Sequence, residues 1–175
     1  MKALKIVRFG DISLRKKTKK VTVFNKYLHE TIDRMKETLR KEKSGAALAA
    51  NQVGISKSII VVNYQNEEFE LINPRITSSS GEQYEYEGCL SLPNFSGRVR
   101  RAKTVKVVFE DRNGSEKEIE RTGPLAICFQ HEIDHLDGIL FIDRMEEKFV
   151  IRDADDTRLK VDDLLSLTKV SKEEA

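Results

Sequence analysis

The stretch QHEIDHLDG, residues 130–138, decides both the fold and the chemistry expected of this chain. Residues four apart lie on one face of an α-helix, so His131 and His135 can direct both imidazoles at a single metal ion. Glu132 then lies close enough to take a proton from a water molecule bound at that ion. Because the chain contains only 3 histidines, a chance match at this spacing is rare. The stretch therefore predicts a hydrolytic metal site on a helix.

A catalytic site of this kind usually has three protein ligands and one open position, so a third ligand is required. Cys128 shares the helix face of His131, but at about 1.5 Å per residue it lies about 10 Å along the axis from His135. Cys89 comes from a separate segment, which can approach the helix from the side. Thiolates bind zinc and iron strongly, and Cys89 is the better candidate. A disulfide between the two cysteines is disfavoured because it would leave the histidines without a third ligand.

Three separated motifs of the chain resemble those of the peptide deformylase family, in the same order. They are GAALAANQ at residues 45–52, EGCLS at residues 87–91 and QHEIDH at residues 130–135. The resemblance extends from residue 1 to about residue 150. Ala47 departs from it, because the family usually has a second glycine there, and Gly10-Asp11 replaces the Pro-Asp of many members. If the backbone at residue 47 needs a positive φ or a very close approach to substrate, this alanine would reduce activity or restrict the substrate range.

The resemblance implies an activity and a role for each residue of the site. The reaction is the hydrolytic removal of the formyl group from the N-terminal N-formylmethionine of newly synthesised polypeptides, which releases formate. The implied roles are metal ligation by Cys89, His131 and His135; general base catalysis by Glu132; oxyanion stabilisation by the Gln52 amide and the Leu90 N–H; substrate binding by Gly45, Ala46, Ala47, Gly88 and Cys128; and support of the cysteine segment by Glu87 with Arg101.

The metal and two rival functions stay open at this point. A Cys-His-His donor set accepts zinc, iron, nickel or cobalt, and the resemblance favours one Fe(II) ion per chain with zinc as a less active substitute. A zinc peptidase would share the H-E-x-x-H motif but would need a histidine or an acidic third ligand. A catalytically weakened deformylase relative that binds peptide or ribosome is the second rival, and Ala47 is its only support.

Composition sets the expected class of protein and its surroundings. A length of 175 residues, with 39% hydrophobic and 34% charged residues, predicts one domain over residues 1–175. The longest aliphatic runs are too short to span a bilayer and no signal peptide is evident, so a reducing cytoplasm is expected. The basic run at residues 15–20 is either a solvated turn or a contact with the ribosome surface. No aromatic residues interleave with it, which argues against specific nucleic-acid readout.

Periodicity predicts an α+β fold, with antiparallel or mixed sheets packed around a buried central helix that carries the metal motif. Apolar residues at three- or four-residue steps from Phe24 to Leu39 predict a long N-terminal helix that stops near Ser44-Gly45. Strands are predicted at residues 58–64, 68–72, 82–86, 105–109 and 116–120, with a hairpin turn at residues 111–114. Residues 1–22 are expected to be extended or irregular and the first motif to lie in a loop, while a C-terminal helical tail is expected at about residues 159–175.

Overall fold

A computed structural model describes residues 2–164, which contain three named α-helices, a further helical turn at residues 161–164 and two antiparallel sheets. The elements in chain order are α1 (Lys26–Lys41), β1 (Ala47–Ala49), β2 (Ile59–Tyr64), β3 (Glu67–Ser80), β4 (Gln83–Cys89), β5 (Leu92–Arg101), β6 (Thr104–Glu110), β7 (Glu116–Thr122), α2 (Pro124–Leu136), α3 (Phe141–Arg144), β8 (Phe149–Arg152) and β9 (Arg158–Lys160). None of the helices in this part of the chain is long and apolar enough to cross a membrane. The expected α+β architecture is confirmed.

Helix α1 forms where the apolar stripe predicted it. The side chain of Asn25 caps its first turn by accepting hydrogen bonds from the N–H groups of Tyr27 and Leu28, at 3.1 and 3.2 Å. An N-cap of this kind satisfies backbone donors that have no partner inside the helix. The buried face consists of Leu28, Ile32, Met35, Thr38 and Leu39. These side chains pack against one face of the larger sheet.

The larger sheet has the strand order β1-β2-β3-β6-β7 and lies between the two long helices. Successive side chains of a strand point to opposite faces, so the aliphatic run of β2 divides between two cores. Ile59 and Val61 pack on the α1 side, whereas Ile60 and Val62 pack on the α2 side. Burial on both faces explains why this run is continuously apolar rather than alternating with polar residues.

The smaller sheet has the strand order β4-β5-β8-β9 and covers a third core. Helix α3 contributes Phe141 and Ile142 to that core, and β5 contributes Leu92 and Val99. The central helix α2 lies between the two sheets with Phe129 fully buried. Its motif residues are therefore held by packing on several sides, as the sequence predicted.

Several elements differ from the sequence-based expectation. The first motif is not a loop, because β1 pairs with β2 through Ala47↔Val62 and its neighbours. Strand β3 does not stop at residue 72 as predicted but continues to Ser80, since β6 supplies a partner there. The predicted C-terminal helix is wrong at its start, because residues 158–160 form β9. Of the predicted helix, the described chain includes residues 161–164, and these are helical. The rest of that predicted helix lies outside the described residues.

The N-terminal segment closes over the end of α2 at Gly138. This glycine has φ 76°, and a Cβ added to it would lie 2.6 Å from the backbone oxygen of Arg15. Nearby, the N–H of Thr18 donates to the carbonyl oxygen of Leu136 at 2.8 Å. Contact this close needs a residue without a side chain, so Gly138 fixes where the N-terminal segment crosses the metal-motif helix.

We expect Gly138→Ala to lower the free energy of unfolding by about 2–5 kcal/mol, since left-handed strain of about 1–2 kcal/mol adds to an overpacking cost of about 1–3 kcal/mol. Gly54→Ala is the matched control, because Gly54 has φ +75° and an added Cβ meets nothing within 4 Å. Its loss should be about 1–2 kcal/mol, from the strain alone. Urea unfolding at equal metal loading measures both, and equal losses would contradict the close contact with Arg15.

Candidate metal centre and active-site cleft

Three potential metal ligands meet between α2 and the end of β4. Cys89, His131 and His135 each offer one ligand atom, and these atoms lie within 4.8 Å of one another. The Cys89 Sγ is 3.2 Å from the Nε2 of His135. The two histidines project from one face of the helix, as their four-residue spacing predicted, and their ring centroids are 5.0 Å apart. The structure thus brings together the three residues that the sequence analysis selected.

A break in the β4–β5 ladder delivers the cysteine to this point. Up to Gly88, which pairs with Ser96, the two strands keep a regular register, but Cys89 then pairs with Leu92. A register shift of this kind bends the strand and redirects a side chain. Cys89 leaves the sheet at this irregularity and reaches the histidines from the side.

A buried ion-pair network supports the histidines from behind. The Nδ1 of His131 lies 2.8 Å from a carboxylate oxygen of Glu87, which leaves Nε2 for the metal. Arg101 donates to both oxygens of Glu87, at 2.7 and 3.0 Å, and also to Asp134. Arg144 donates to Asp134 from the other side, at 2.7 and 3.1 Å. The network joins β4, β5, α2 and α3 around the first histidine.

The charges of this network perturb the protonation of its members. Burial raises the pKa of Glu87, but hydrogen bonds from His131 and Arg101 outweigh it and lower the pKa to about 2. Burial lowers the pKa of His131, but its interactions with Cys89 and Glu87 raise that pKa well above the usual value. Burial and the nearby His131 lower the pKa of His135. The surroundings therefore favour the charged form of His131 and the neutral form of His135.

The donor set fits a resident metal ion. Two imidazoles and one thiolate are the ligand types that zinc, ferrous iron and related divalent ions take in proteins. Among the described residues, three buried side-chain atoms lack a hydrogen-bond partner, and all lie at or next to this site: the Oε2 of Glu132, the Nδ1 of His135 and the Oδ1 of Asn51. Buried polar atoms rarely lack a partner, and such exceptions mark functional groups or an absent ion or water.

Glu132 lies beside the ligands on the same turn of α2. It is 4% exposed, and burial raises its pKa to about 7, with the charge of Glu87 adding to the rise and His131 opposing it. A carboxyl group with a pKa near neutrality can both accept and return a proton at physiological pH. Perturbation of this size in a cleft is typical of a catalytic acid or base.

The first motif packs directly against the metal ligands. The Gln52 side chain accepts a hydrogen bond from the N–H of Ala49 at 2.8 Å, which fixes the amide orientation. Its Nε2 then donates to the Ser91 hydroxyl at 3.3 Å and lies 3.5 Å from the Cys89 Sγ. Gln52 is 1% exposed, so its amide is a buried group of the site and not a surface side chain.

A cleft of about 480 Å³ opens over these groups. Every residue that the sequence analysis assigned to the site lines it, except His135 and Arg101, which are buried behind its surface. Two sheet edges face it, because β1 and β4 are each the terminal strand of their sheet. An edge strand has unpaired backbone donors and acceptors on its outer side. The cleft can thus accept an extended peptide between the two edges.

Ala47 is an ordinary strand residue at the wall of this cleft. It pairs with Val62 in β1 and is absent from the residues whose φ is positive. The backbone conformation at this position therefore suits an alanine, and the methyl group packs in the core beside α2. The conformational reason for requiring a second glycine in the motif does not apply.

The second cysteine is not a metal ligand in this arrangement. Cys128 lines the cleft, and burial raises the pKa of its thiol. Both Cys89 and Cys128 are free, so the disfavoured disulfide is absent. A high thiol pKa keeps Cys128 neutral and makes it an apolar lining group rather than a nucleophile.

Sequence reasoning gave no role to several residues that build the site. The side chain of Asn51 donates to the backbone oxygen of His135, linking the first motif to α2. Asp134 anchors Arg101 and Arg144, and the only signal for it was its place inside the third motif. Asp153 lines the cleft from the turn between β8 and β9, two strands that were not predicted.

Comparison with known proteins gives one consistent result. The family model for polypeptide deformylase matches residues 3–149. A peptide deformylase of Heliobacterium modesticaldum is 49% identical over 146 residues, which cover 83% of this chain and 96% of that relative. Peptide deformylase 2 of Clostridium acetobutylicum is 44% identical over 146 residues, covering 83% of this chain and 97% of its own length.

Solved structures resemble the fold over most of its length. The crystal structure of peptide deformylase from Thermotoga maritima has a TM-score of 0.81 at 40% identity and covers 84% of this chain and 100% of its own. A peptide deformylase from Synechococcus elongatus in complex with actinonin has a TM-score of 0.80 at 39% identity, covering 83% of this chain and 80% of its own. A plant peptide deformylase has a TM-score of 0.85 at 33% identity and covers 98% of this chain and 91% of its own.

Two adjacent arginines, one inside the buried network and one outside it, should contribute very differently to the free energy of unfolding. We expect Arg101→Met to lower the free energy of unfolding by about 3–5 kcal/mol, because it leaves the Glu87 and Asp134 carboxylates buried without their shared partner. Arg100→Met is the matched control, since Arg100 lies next to it and makes only exposed ion pairs with Glu82 and Glu146. It should change stability little. Urea unfolding compares the two variants, and a small loss for Arg101→Met would contradict a structural role for the network.

Proposed function

Because the chain belongs to the polypeptide deformylase family, we propose that Cys89, His131 and His135 hold its metal ion and that Glu132 is its general base. The chain is a metal-dependent hydrolase that removes the formyl group from the N-terminal N-formylmethionine of newly synthesised polypeptides. The observation that carries the residue assignment is a Cys-His-His cluster beside a buried carboxylate whose Oε2 lacks a hydrogen-bond partner, at a cleft.

The metal ion would supply a Lewis acid that lowers the pKa of a water molecule and polarises the formyl group. We propose Fe(II) as the native ion, since a ligand set of one thiolate and two imidazoles accepts it and the resemblance to the family favours it over zinc, nickel or cobalt. The protein contributes the geometry. Glu87 fixes the orientation of the His131 ring, and the Gln52 amide lies against the Cys89 sulfur.

Glu132 moves the proton in this proposal. Its carboxylate takes a proton from the attacking water and later returns it to the amine that leaves as the formyl carbon–nitrogen bond breaks. A pKa raised to about 7 by burial suits both steps, because neither protonation state is strongly disfavoured at neutral pH. The buried and unpartnered Oε2 is free to accept that proton.

Two donors are proposed for the oxyanion that develops on the formyl oxygen. The first is the Nε2 of Gln52, whose orientation is fixed by the bond from the Ala49 N–H to its Oε1. The second is the backbone N–H of Leu90, directly after Cys89 at the end of the strand. Donors fixed before the reaction stabilise the developing charge without reorganisation.

The peptide is proposed to lie as an extra strand between the edges of β1 and β4. Backbone groups near Ala46 and Gly88 would pair with it, as expected when an extended peptide joins a sheet edge. Gly45 and Ala47 leave space for the peptide backbone beside β1, because their side chains are absent or small. Cys128, a half-buried thiol on the cleft surface, is proposed to contact the methionine side chain.

The two rival functions have less support. A zinc peptidase would need an acidic or histidine third ligand, but the ligand atom that clusters with the histidines is the Cys89 sulfur. The weakened relative depended on Ala47, whose extended conformation removes the argument from a required glycine. Retention of Glu132 and Gln52 in buried positions favours an active enzyme.

The wider setting of the enzyme is also a proposal. We propose one domain over residues 1–175, action in the cytoplasm and contact with the ribosome surface through the basic run at residues 15–20. Arg15 forms an ion pair with Asp143, and Lys17 forms one with Asp137 at 2.8 Å. The exposed lysines of the same run, Lys16, Lys19 and Lys20, would make the ribosome contact.

We expect Glu132→Gln to reduce kcat for formate release from an N-formylmethionyl peptide by about 10²–10⁴-fold, which is the usual contribution of a general base. Metal content should not change, since Glu132 is not a ligand. Asp137→Asn on the same helix is the control, because Asp137 pairs with Lys17 at the surface and should leave kcat unaltered. Unchanged turnover in Glu132→Gln would remove the proposed base.

Removal of the metal tests the ligand set. Dialysis against a chelator should abolish formate release and lower the free energy of unfolding by about 2.7 kcal/mol, relative to protein at 100 times the metal's Kd. Reloading without oxygen should give the highest rate with Fe(II) and a lower rate with zinc. Cys89→Ser should bind either ion much more weakly, as measured by metal analysis. Equal rates with both ions would argue against iron as the native metal.

A further inference from the structure

The outer face of the β4–β5 hairpin borders the cleft and has a gap in its row of side chains. Tyr86 and Gly88 lie on this face, alternating with the inward-facing Glu87. Gly88 pairs with Ser96, and a Cβ added to Gly88 would meet only the carbonyl oxygen of Phe95, at 3.7 Å. The glycine therefore leaves a shallow trough beside the ring of Tyr86, which is 57% exposed.

Asp153 forms the opposite side of this trough. Strand β8 pairs Ile151 with Ser96, and the chain then places Asp153 over the same hairpin. The N–H of Asp153 donates to the backbone oxygen of Asn94 at 3.0 Å, and its Oδ1 accepts from the Ser96 hydroxyl at 3.1 Å. Because Ser96 lies opposite Gly88, the carboxylate lies across the gap from Tyr86, and both residues line the cleft.

We propose that Tyr86 and Asp153 determine substrate specificity by binding a lysine or arginine side chain carried downstream of the formylmethionine. The proposal rests on the extended peptide placed along β4 above. In an extended strand, alternate side chains point to one face, so one of them would enter the trough over Gly88. There the Asp153 carboxylate provides an ion pair and the exposed Tyr86 ring provides a face for a cation.

Other charges near the trough do not cancel this preference. The Arg98 guanidinium lies 4.1 Å from the Tyr84 ring centre and 5.7 Å from that of Tyr86, so it associates mainly with Tyr84. The Nη1 of Arg8 donates to the Leu90 carbonyl oxygen at 2.8 Å. Glu42 lies at the cleft as well and adds a second exposed carboxylate. Arg98 lies opposite Tyr86 in the hairpin, but both arginines are already engaged, by tyrosine rings or by a carbonyl oxygen. Among the described residues the Asp153 carboxylate accepts from the neutral Ser96 hydroxyl and forms no salt bridge, so its charge is available to a cationic side chain.

The carboxylate comes from a part of the chain beyond the matched family region. The family model ends at residue 149, whereas Asp153 follows β8 and is held by the β5 backbone. The catalytic groups lie within the matched region and the proposed specificity group lies outside it. Charge selectivity could thus change in this chain without any change in its catalytic residues.

The test is a set of N-formylmethionyl tetrapeptides in which one lysine, glutamine or glutamate is moved through positions two, three and four. The measured quantity is kcat/KM for formate release by the metal-loaded full-length enzyme. At one position we expect lysine to exceed glutamate by about two- to tenfold, as for an exposed ion pair with a cation–π contact. The ratio should fall with added salt.

Asp153→Asn should bring the lysine-to-glutamate ratio close to one, since asparagine can keep the Ser96 hydrogen bond but not the charge. Asp156→Asn is the matched control: it removes the same charge from the same turn, away from the cleft, and its φ of 56° suits asparagine. It should keep the wild-type ratio. Tyr86→Leu should reduce the ratio partly.

The outcomes separate this proposal from the proposed function. Formate release without any lysine preference, or with a preference for glutamate, would overturn the specificity assignment and leave the deformylase activity intact. The same ratio in Asp153→Asn as in the wild type would also overturn it. Absence of formate release from every peptide, with metal bound, would instead contradict the proposed catalytic residues.

Discussion

The ion pair between Arg101 and Glu87 is the interaction on which the rest of the site depends. It is almost completely buried, with side-chain exposures of 5% and 3%, and it joins β5 to β4 directly behind the metal ligands. Glu87 then orients His131, while Arg101 also holds Asp134 on α2. A buried charge without its partner is costly, so these groups tolerate few alternative arrangements. The same contacts that fold the hairpin onto the helix therefore fix the geometry of the donors.

The sequence was sufficient to predict those elements whose local pattern agrees with their tertiary surroundings. The stripe from Phe24 to Leu39 specified α1, and the turn at residues 111–114 specified the β6–β7 hairpin. The three motifs selected the candidate ligands because only one thiolate could approach the helix from another segment. The structure shows that Cys89, His131 and His135 do converge.

The sequence was insufficient where an element depends on a distant partner. Strand β1 contains small residues with little strand preference and forms because β2 pairs with it. The serine-rich end of β3 is extended because β6 lies beside it, and β8 and β9 form in a charged segment because β5 offers an edge. Asp134 had no visible role until Arg101 and Arg144, from two other elements, were found around it.

The two facing sheet edges have a consequence for the timing of the reaction. In the proposed binding mode, a substrate lies between β1 and β4 as a single extended strand whose backbone donors and acceptors are still unused. A polypeptide whose first residues have already paired within its own sheet or helix no longer presents such a strand. Folding of the substrate thus competes with its processing, and the enzyme must act in the interval before the new N-terminus is committed to structure. The enzyme would therefore select a substrate by whether its N-terminus is still unfolded as well as by its formyl group.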